Sequence, residues 1–156
     1  MKKASTLAII TISTFASMTG TCAEEASIKN LLESAKSGFS TISDTQSLKR
    51  KITLINDAQT CQLANQLSGG KELVCFWQYE YRNSEAAEQF WRLNIEFQEL
   101  AGTESPAVED LDVNHPDYYD LKTYNTNDAM VSVSLKDKAA LDQTFVFLRV
   151  SKSTAR

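Results

Sequence analysis

The chain has 156 residues, with 20 acidic and 16 basic side chains for a formal charge of −4, and a single histidine. An acidic balance argues against nucleic acid as a partner, because that binding rests on Lys and Arg neutralising phosphates. One histidine also leaves almost nothing from which to build a Ser-His-Asp, Cys-His or zinc site.

Lys2 and Lys3 precede an uncharged, largely apolar run over residues 7–15 that ends in small residues, the layout of a secretory signal peptide. A bilayer span takes about 20 apolar residues, so this run is too short for one. Cleavage after Ala23 leaves residues 24–156 as a single α+β domain with 14 basic and 20 acidic residues, a charge of −6. A cut before Cys22 would instead give an acylated lipoprotein. Thr19-Gly20-Thr21 fits that badly, lacking the usual Leu and ending in Thr where Gly or Ala is expected.

In the remaining chain, Ile28, Leu31, Leu32 and Ala35 recur at helical spacing, with Ser27 as N-cap and Gly38 at the C-terminus, so a short N-terminal helix is expected over 27–36. Residues 40–47 read as loop. Residues 48–55, LKRKITLI, read as a strand, because Ile52, Thr53 and Ile55 are β-branched. A helix through this stretch is the alternative.

Removal of residues 1–23 leaves two cysteines, Cys61 and Cys75, and an even pair in an exported chain implies a disulfide. Each lies seven residues from Ser68. A hairpin folded about Ser68, with Gly69 and Gly70 supplying the turn, places them directly opposite one another, within the reach of a disulfide. A helix over 57–67 tied to the following strand would satisfy the same bond. In the second arm, Leu73, Cys75, Trp77, Tyr79 and Tyr81 share one apolar face, so the disulfide is expected on the core side.

Residues 84–101 carry Ala86, Phe90, Leu93, Phe97 and Leu100 down one side, an apolar stripe on one long helix starting at Ser84 and stopped by Gly102. Glu88, Arg92 and Glu96 align at i,i+4 spacing on the solvent side. Residues 103–118 hold both prolines and read as a surface loop. Three strands follow, within 119–125, 128–136 and 142–151, the last two with clear alternation. The expected architecture is an α+β fold, an antiparallel sheet of five or six strands against the long helix. Val74, Phe76, Met130, Phe145 and Phe147 would crowd the other face, with the N-terminal helix as their expected cover and an exposed patch serving a partner as the alternative.

No catalytic constellation and no cofactor motif emerges. Residues 93–121 contain eight acidic side chains and no Lys or Arg. Within them, Asp110, Asp112 and Asn114 match the first three ligand positions of an EF-hand loop, but His115 replaces the required Gly and Leu121 the bidentate Glu, so no metal site is assigned. The reading is a small exported, non-enzymatic cell-envelope protein that binds a cationic protein partner in an inhibitor- or immunity-like manner. Glu109, Asp110, Asp112, Asp117, Tyr118 and Tyr119, in the acidic segment, are the candidate contact residues. The alternatives are a small-molecule or Ca²⁺-binding envelope protein, or an enzyme without a recognisable motif.

Overall fold

The computed structural model describes residues 21–42, 44–66, 70–101, 104–105 and 117–153. Six strands form one antiparallel sheet: β1 (Thr60–Asn65), β2 (Lys71–Glu80), β3 (Glu104–Ser105), β4 (Tyr119–Asn125), β5 (Ala129–Lys138) and β6 (Gln143–Lys152). Their spatial order is β1-β2-β6-β5-β4-β3. Among the described residues, three helices, α1 (Thr21–Lys36), α2 (Thr45–Lys51) and α3 (Ser84–Ala101), accompany the sheet in an α+β fold.

The hairpin forms in the expected register. Cys61 pairs with Cys75, Leu63 with Leu73 and Asn65 with Lys71. The disulfide joins Cα atoms 4.1 Å apart, the close approach of a pair that exchanges no backbone hydrogen bonds. Gln66 N–H donates to the Gly70 carbonyl at 3.0 Å to close the loop, and Gly70 takes a φ of 100°, a conformation that suits residues without a Cβ. The turn apex at Ser68 and Gly69 lies outside the described residues. Leu73, Cys75 and Trp77 are buried, so the sulfurs sit on the core side.

Residues 48–55 are not a strand. Asp44 caps a helix in their place: its carboxylate accepts from the backbone N–H of Gln46 at 3.0 Å and of Ser47 at 2.9 Å, and from the Ser47 hydroxyl at 2.7 Å. Those bonds, the hydroxyl first, hold the Asp44 carboxyl below the usual carboxylate range. Lys49, Arg50 and Lys51 fall in the last turn, where cations suit the negative end of the helix. A short 3₁₀ turn at Thr53–Ile55 follows. Leu48, Ile52 and Ile55 are buried at spacings of four and three, a helical face concealed within β-branched residues.

Helix α3 buries Ala86, Phe90, Leu93 and Phe97 as its stripe requires. Its cap is one residue earlier than Ser84, since the Asn83 side chain accepts from Glu85 N–H at 2.7 Å. The buried Asn94 is bonded at both polar atoms: its amide donates to the Phe90 carbonyl at 2.7 Å and its oxygen accepts from the Tyr124 hydroxyl at 2.8 Å. Tyr124→Phe is therefore expected to lower stability by about 1–3 kcal/mol, because it strands a buried acceptor while leaving the ring in place. Chemical denaturation checks this, and an unchanged midpoint would contradict it.

A second satisfied cluster pins the end of β2 to the β5–β6 turn. Thr144 Oγ1 donates to the buried Asp137 carboxylate at 2.7 Å and accepts from Arg82 N–H at 2.8 Å. Arg82, with φ 57°, also reaches Asp137 through Nε at 3.4 Å.

The cover expected for the phenylalanine face is not there. Ile28, Leu31 and Ala35 of α1, with Phe39 just after it, join the same core as Leu73, Cys75, Val146 and Leu148, so α1 and α3 lie on one face of the sheet. Width explains this. With strands about 4.8 Å apart, a six-stranded sheet is more than twice as broad as a helix about 10 Å across, so α3, packed on β2, β6, β5 and β4, does not cover it alone. α1 packs beside it on β6 and β5, and α2 packs on β1.

Candidate functional site

Of the acidic residues and tyrosines singled out from sequence, the described ones are Asp117, Tyr118 and Tyr119. Glu109, Asp110 and Asp112 lie outside the described residues. Asp117 accepts from Lys138 Nζ at 2.7 Å and from Ala139 N–H at 2.8 Å, which fastens the start of β4 to the end of β5. Tyr118 and Tyr119 are both exposed and, as strand neighbours, project to opposite faces. The Tyr118 hydroxyl points to Asp120 Oδ2 at 3.4 Å, and partial burial, then that carboxylate, raise its pKa above the ordinary tyrosine value. Tyr119 lies beneath Lys136, whose ammonium is 5.6 Å from the ring centroid. Among the described residues, no three His, Cys, Asp or Glu side chains are grouped to hold a metal ion.

Two surfaces remain that the core does not use. The first runs along the outer side of α3. The stripe of Phe90, Leu93 and Phe97 faces inward, and a second apolar row, Ala87, Trp91 and Ile95 at i,i+4 spacing, lies about a quarter-turn away and faces outward. Trp91 is 53% exposed and Ile95 54% exposed, one helical turn apart. With Ser84, Ala87, Glu88, Arg92 and Glu96 they line an open groove of about 630 Å³. The Trp91 ring stands edge-on to Phe90 with centroids 5.4 Å apart, so a core side chain holds its orientation.

The charge around this groove differs from the alternating line expected. Arg92, at the edge of the groove, is paired away from the helix's glutamates. Its guanidinium reaches Asp57 Oδ2 at 3.2 Å and Gln89 Oε1 at 2.9 Å. Asp57 also accepts from Trp77 Nε1 at 3.1 Å, so the arginine is committed to joining α3 to the residues preceding β1. Glu85, Glu88 and Glu99 stay exposed, with Glu96 half-buried beside them. The result is an apolar strip with an acidic rim.

The second surface is the far face of the sheet. Val74, Phe76, Phe145, Phe147 and Leu121 are half-buried there, while Met130 and Arg149 are exposed. The three phenylalanine rings cluster with centroid separations of 6.0 to 6.4 Å. The buried apolar side chains of the helices among the described residues lie in the core on the opposite face.

Sequence reasoning located the phenylalanine face but passed over Trp91 and Ile95. The signal was a second row at spacing four, parallel to the one assigned to the core and hidden among the charges of the same helix. Compared with known proteins, the chain matches no family model, no curated protein and no solved structure. Among the described residues, no helix is long and apolar enough to cross a membrane.

Proposed function

We propose that the chain is an exported, non-enzymatic binding protein of the cell envelope whose partner is a cationic protein, docked through a basic amphipathic helix laid along α3. The observation that carries this reading is the pairing of Trp91 and Ile95, each more than half exposed, with a rim of Glu85, Glu88, Glu96 and Glu99 on a chain of charge −4. A helix carrying apolar residues on one side and Lys or Arg on the flanks complements such a strip. Tryptophan at the centre of a patch is the residue type most often responsible for binding energy. Export is supported by the signal-peptide layout of residues 1–23 and by the disulfide, a bond that persists in oxidising compartments. The contact surface proposed here replaces the segment around Asp117, whose carboxylate is occupied by Lys138.

The test uses immobilised protein and an envelope extract, followed by the purified captured protein. Trp91→Ala with Ile95→Ala is expected to weaken binding by at least about thirty-fold, the effect of losing about 2 kcal/mol at a hot spot. Molar salt, which shortens the screening length to about 3 Å, is expected to release most of the bound partner. Binding indifferent to both changes would contradict the reading.

A further inference from the structure

The phenylalanine face lies on the side of the sheet opposite α3, so it is independent of the proposed partner site. We propose that it is the interface of a homodimer, in which a second copy of this chain packs face to face through β1, β2, β6 and β5. Three features of the face favour a second copy over a foreign partner.

The first is composition. Its centre is apolar, with Phe76, Phe145 and Phe147 in mutual contact, and its margin carries both signs of charge. Glu72 and Glu80 lie on β2, with Arg149 on β6 and Lys136 on β5. A chain of charge −4 thus presents a nearly neutral face, where self-repulsion is least. Neither Glu72 nor Arg149 has an ion-pair partner among the described residues.

The second is arrangement. In register, Glu72 stands opposite Ser151 and Val74 opposite Arg149, while Phe76 is opposite Phe147. A two-fold axis lying in the interface between β2 and β6 sets the acidic strand of one copy over the basic strand of the other. Phe76 then meets the partner's Phe147, and Glu72 lies one diagonal step from the partner's Arg149. That is the self-complementarity an isologous contact needs, and sheets packed this way align within about 30°.

The third is size. Four strands about 4.8 Å apart, with about eight residues of about 3.4 Å each, give a footprint on the order of 500 Å² per copy before side-chain relief. The pair therefore reaches the roughly 1,000 Å² in total that separates specific interfaces from incidental contacts. The dimer would carry its two α3 grooves on opposite outer surfaces, making it a bivalent binder.

Sedimentation velocity of the purified full chain, from micromolar to several hundred micromolar, tests this without any partner. The expected result is a concentration-dependent shift from monomer to dimer mass. Phe147→Glu, which puts a carboxylate at a half-buried position on the solvent side, is expected to shift the dissociation constant at least tenfold while the circular dichroism spectrum is retained. Arg149→Glu is expected to weaken the dimer also, and the exchange Arg149→Glu with Glu72→Arg to restore it, which a general loss of folding would not do. A monomer at every concentration overturns the proposal, most clearly if Phe147→Glu also lowers the melting temperature, since the face would then be covered from within the chain. A dimer unmoved by Phe147→Glu but lost in Trp91→Ala overturns it as well, by assigning self-association to α3.

Discussion

Replacing Cys61 and Cys75 together with alanine is expected to destabilise the fold by about 3 kcal/mol, the loop-closure value for a bridge spanning about 15 residues. The two cysteines are separated by 14 positions in the chain. For a domain of this size the loss corresponds to a drop of roughly 10 °C in melting temperature. Both sulfurs are buried, so the alanines also remove packing from the sheet's inner face. The bridge has a second consequence, in the specification of register. A slip of one residue between β1 and β2 would send Leu63 and Cys61 to the outer face and bring Thr60 and Gln62 into the core. The double variant is accordingly expected to show faster hydrogen exchange in β1 than in β5 or β6, because β1 is an edge strand held by one neighbour. Thermal unfolding with and without reductant measures the first effect. Thiols that alkylate readily in native protein without reductant would contradict the account of this region.

Phe90→Ala is expected to cost about 3–5 kcal/mol, the range for truncating a buried phenylalanine whose site refills only in part. Phe90 is 2% exposed and sits in the middle of α3, between the sheet and the helix backbone. Its ring also supports Trp91, so the variant is expected to loosen that indole on the outside of the helix, seen as lower fluorescence anisotropy. Trp77 provides an internal reference, because its Nε1 is fixed to Asp57 and its ring is buried. Phe97→Ala is the matched control. Phe97 is similarly buried and its ring partner is Tyr124, at 6.4 Å, not Trp91, so it should cost similar stability and leave Trp91 unchanged. Equal anisotropy in the two variants would remove Phe90 as the support of the surface tryptophan.

Local pattern carried much of the fold. The hairpin followed from two cysteines equidistant from a turn, and α3 from one stripe of apolar residues. Strands β5 and β6 followed from alternation over ten residues each. Residues 48–55 misled because Ile52 and Ile55 are β-branched. The deciding feature was Asp44, whose capping bonds favour helix from outside the apolar run. Which layer covers which face was illegible for a different reason. Periodicity tells which side of an element is apolar, and the breadth of the sheet tells how many helices that side needs. Only the strand order β1-β2-β6-β5-β4-β3 supplies the breadth.

The candidate site was less legible still. The i,i+4 line of Glu88, Arg92 and Glu96 suggested a self-neutralising helix surface. In the folded chain Arg92, at the groove's edge, is drawn to Asp57, 35 residues away in sequence, and the glutamates beside it form the acidic rim. No local rule anticipates a partner so distant. Asp117 is likewise paired with a residue distant in sequence, Lys138 at 21 residues.

The most direct measurement of the central claim is site-specific photocrosslinking in the intact envelope, with a photoreactive residue placed in turn at Ile95 on α3, at Asp112 in the acidic segment and at Phe147 on the far face of the sheet. The expected result is an adduct with a basic heterologous protein from Ile95, abolished by Glu88→Lys with Glu99→Lys. A heterologous adduct from Asp112 or Phe147, with none from Ile95, would contradict it.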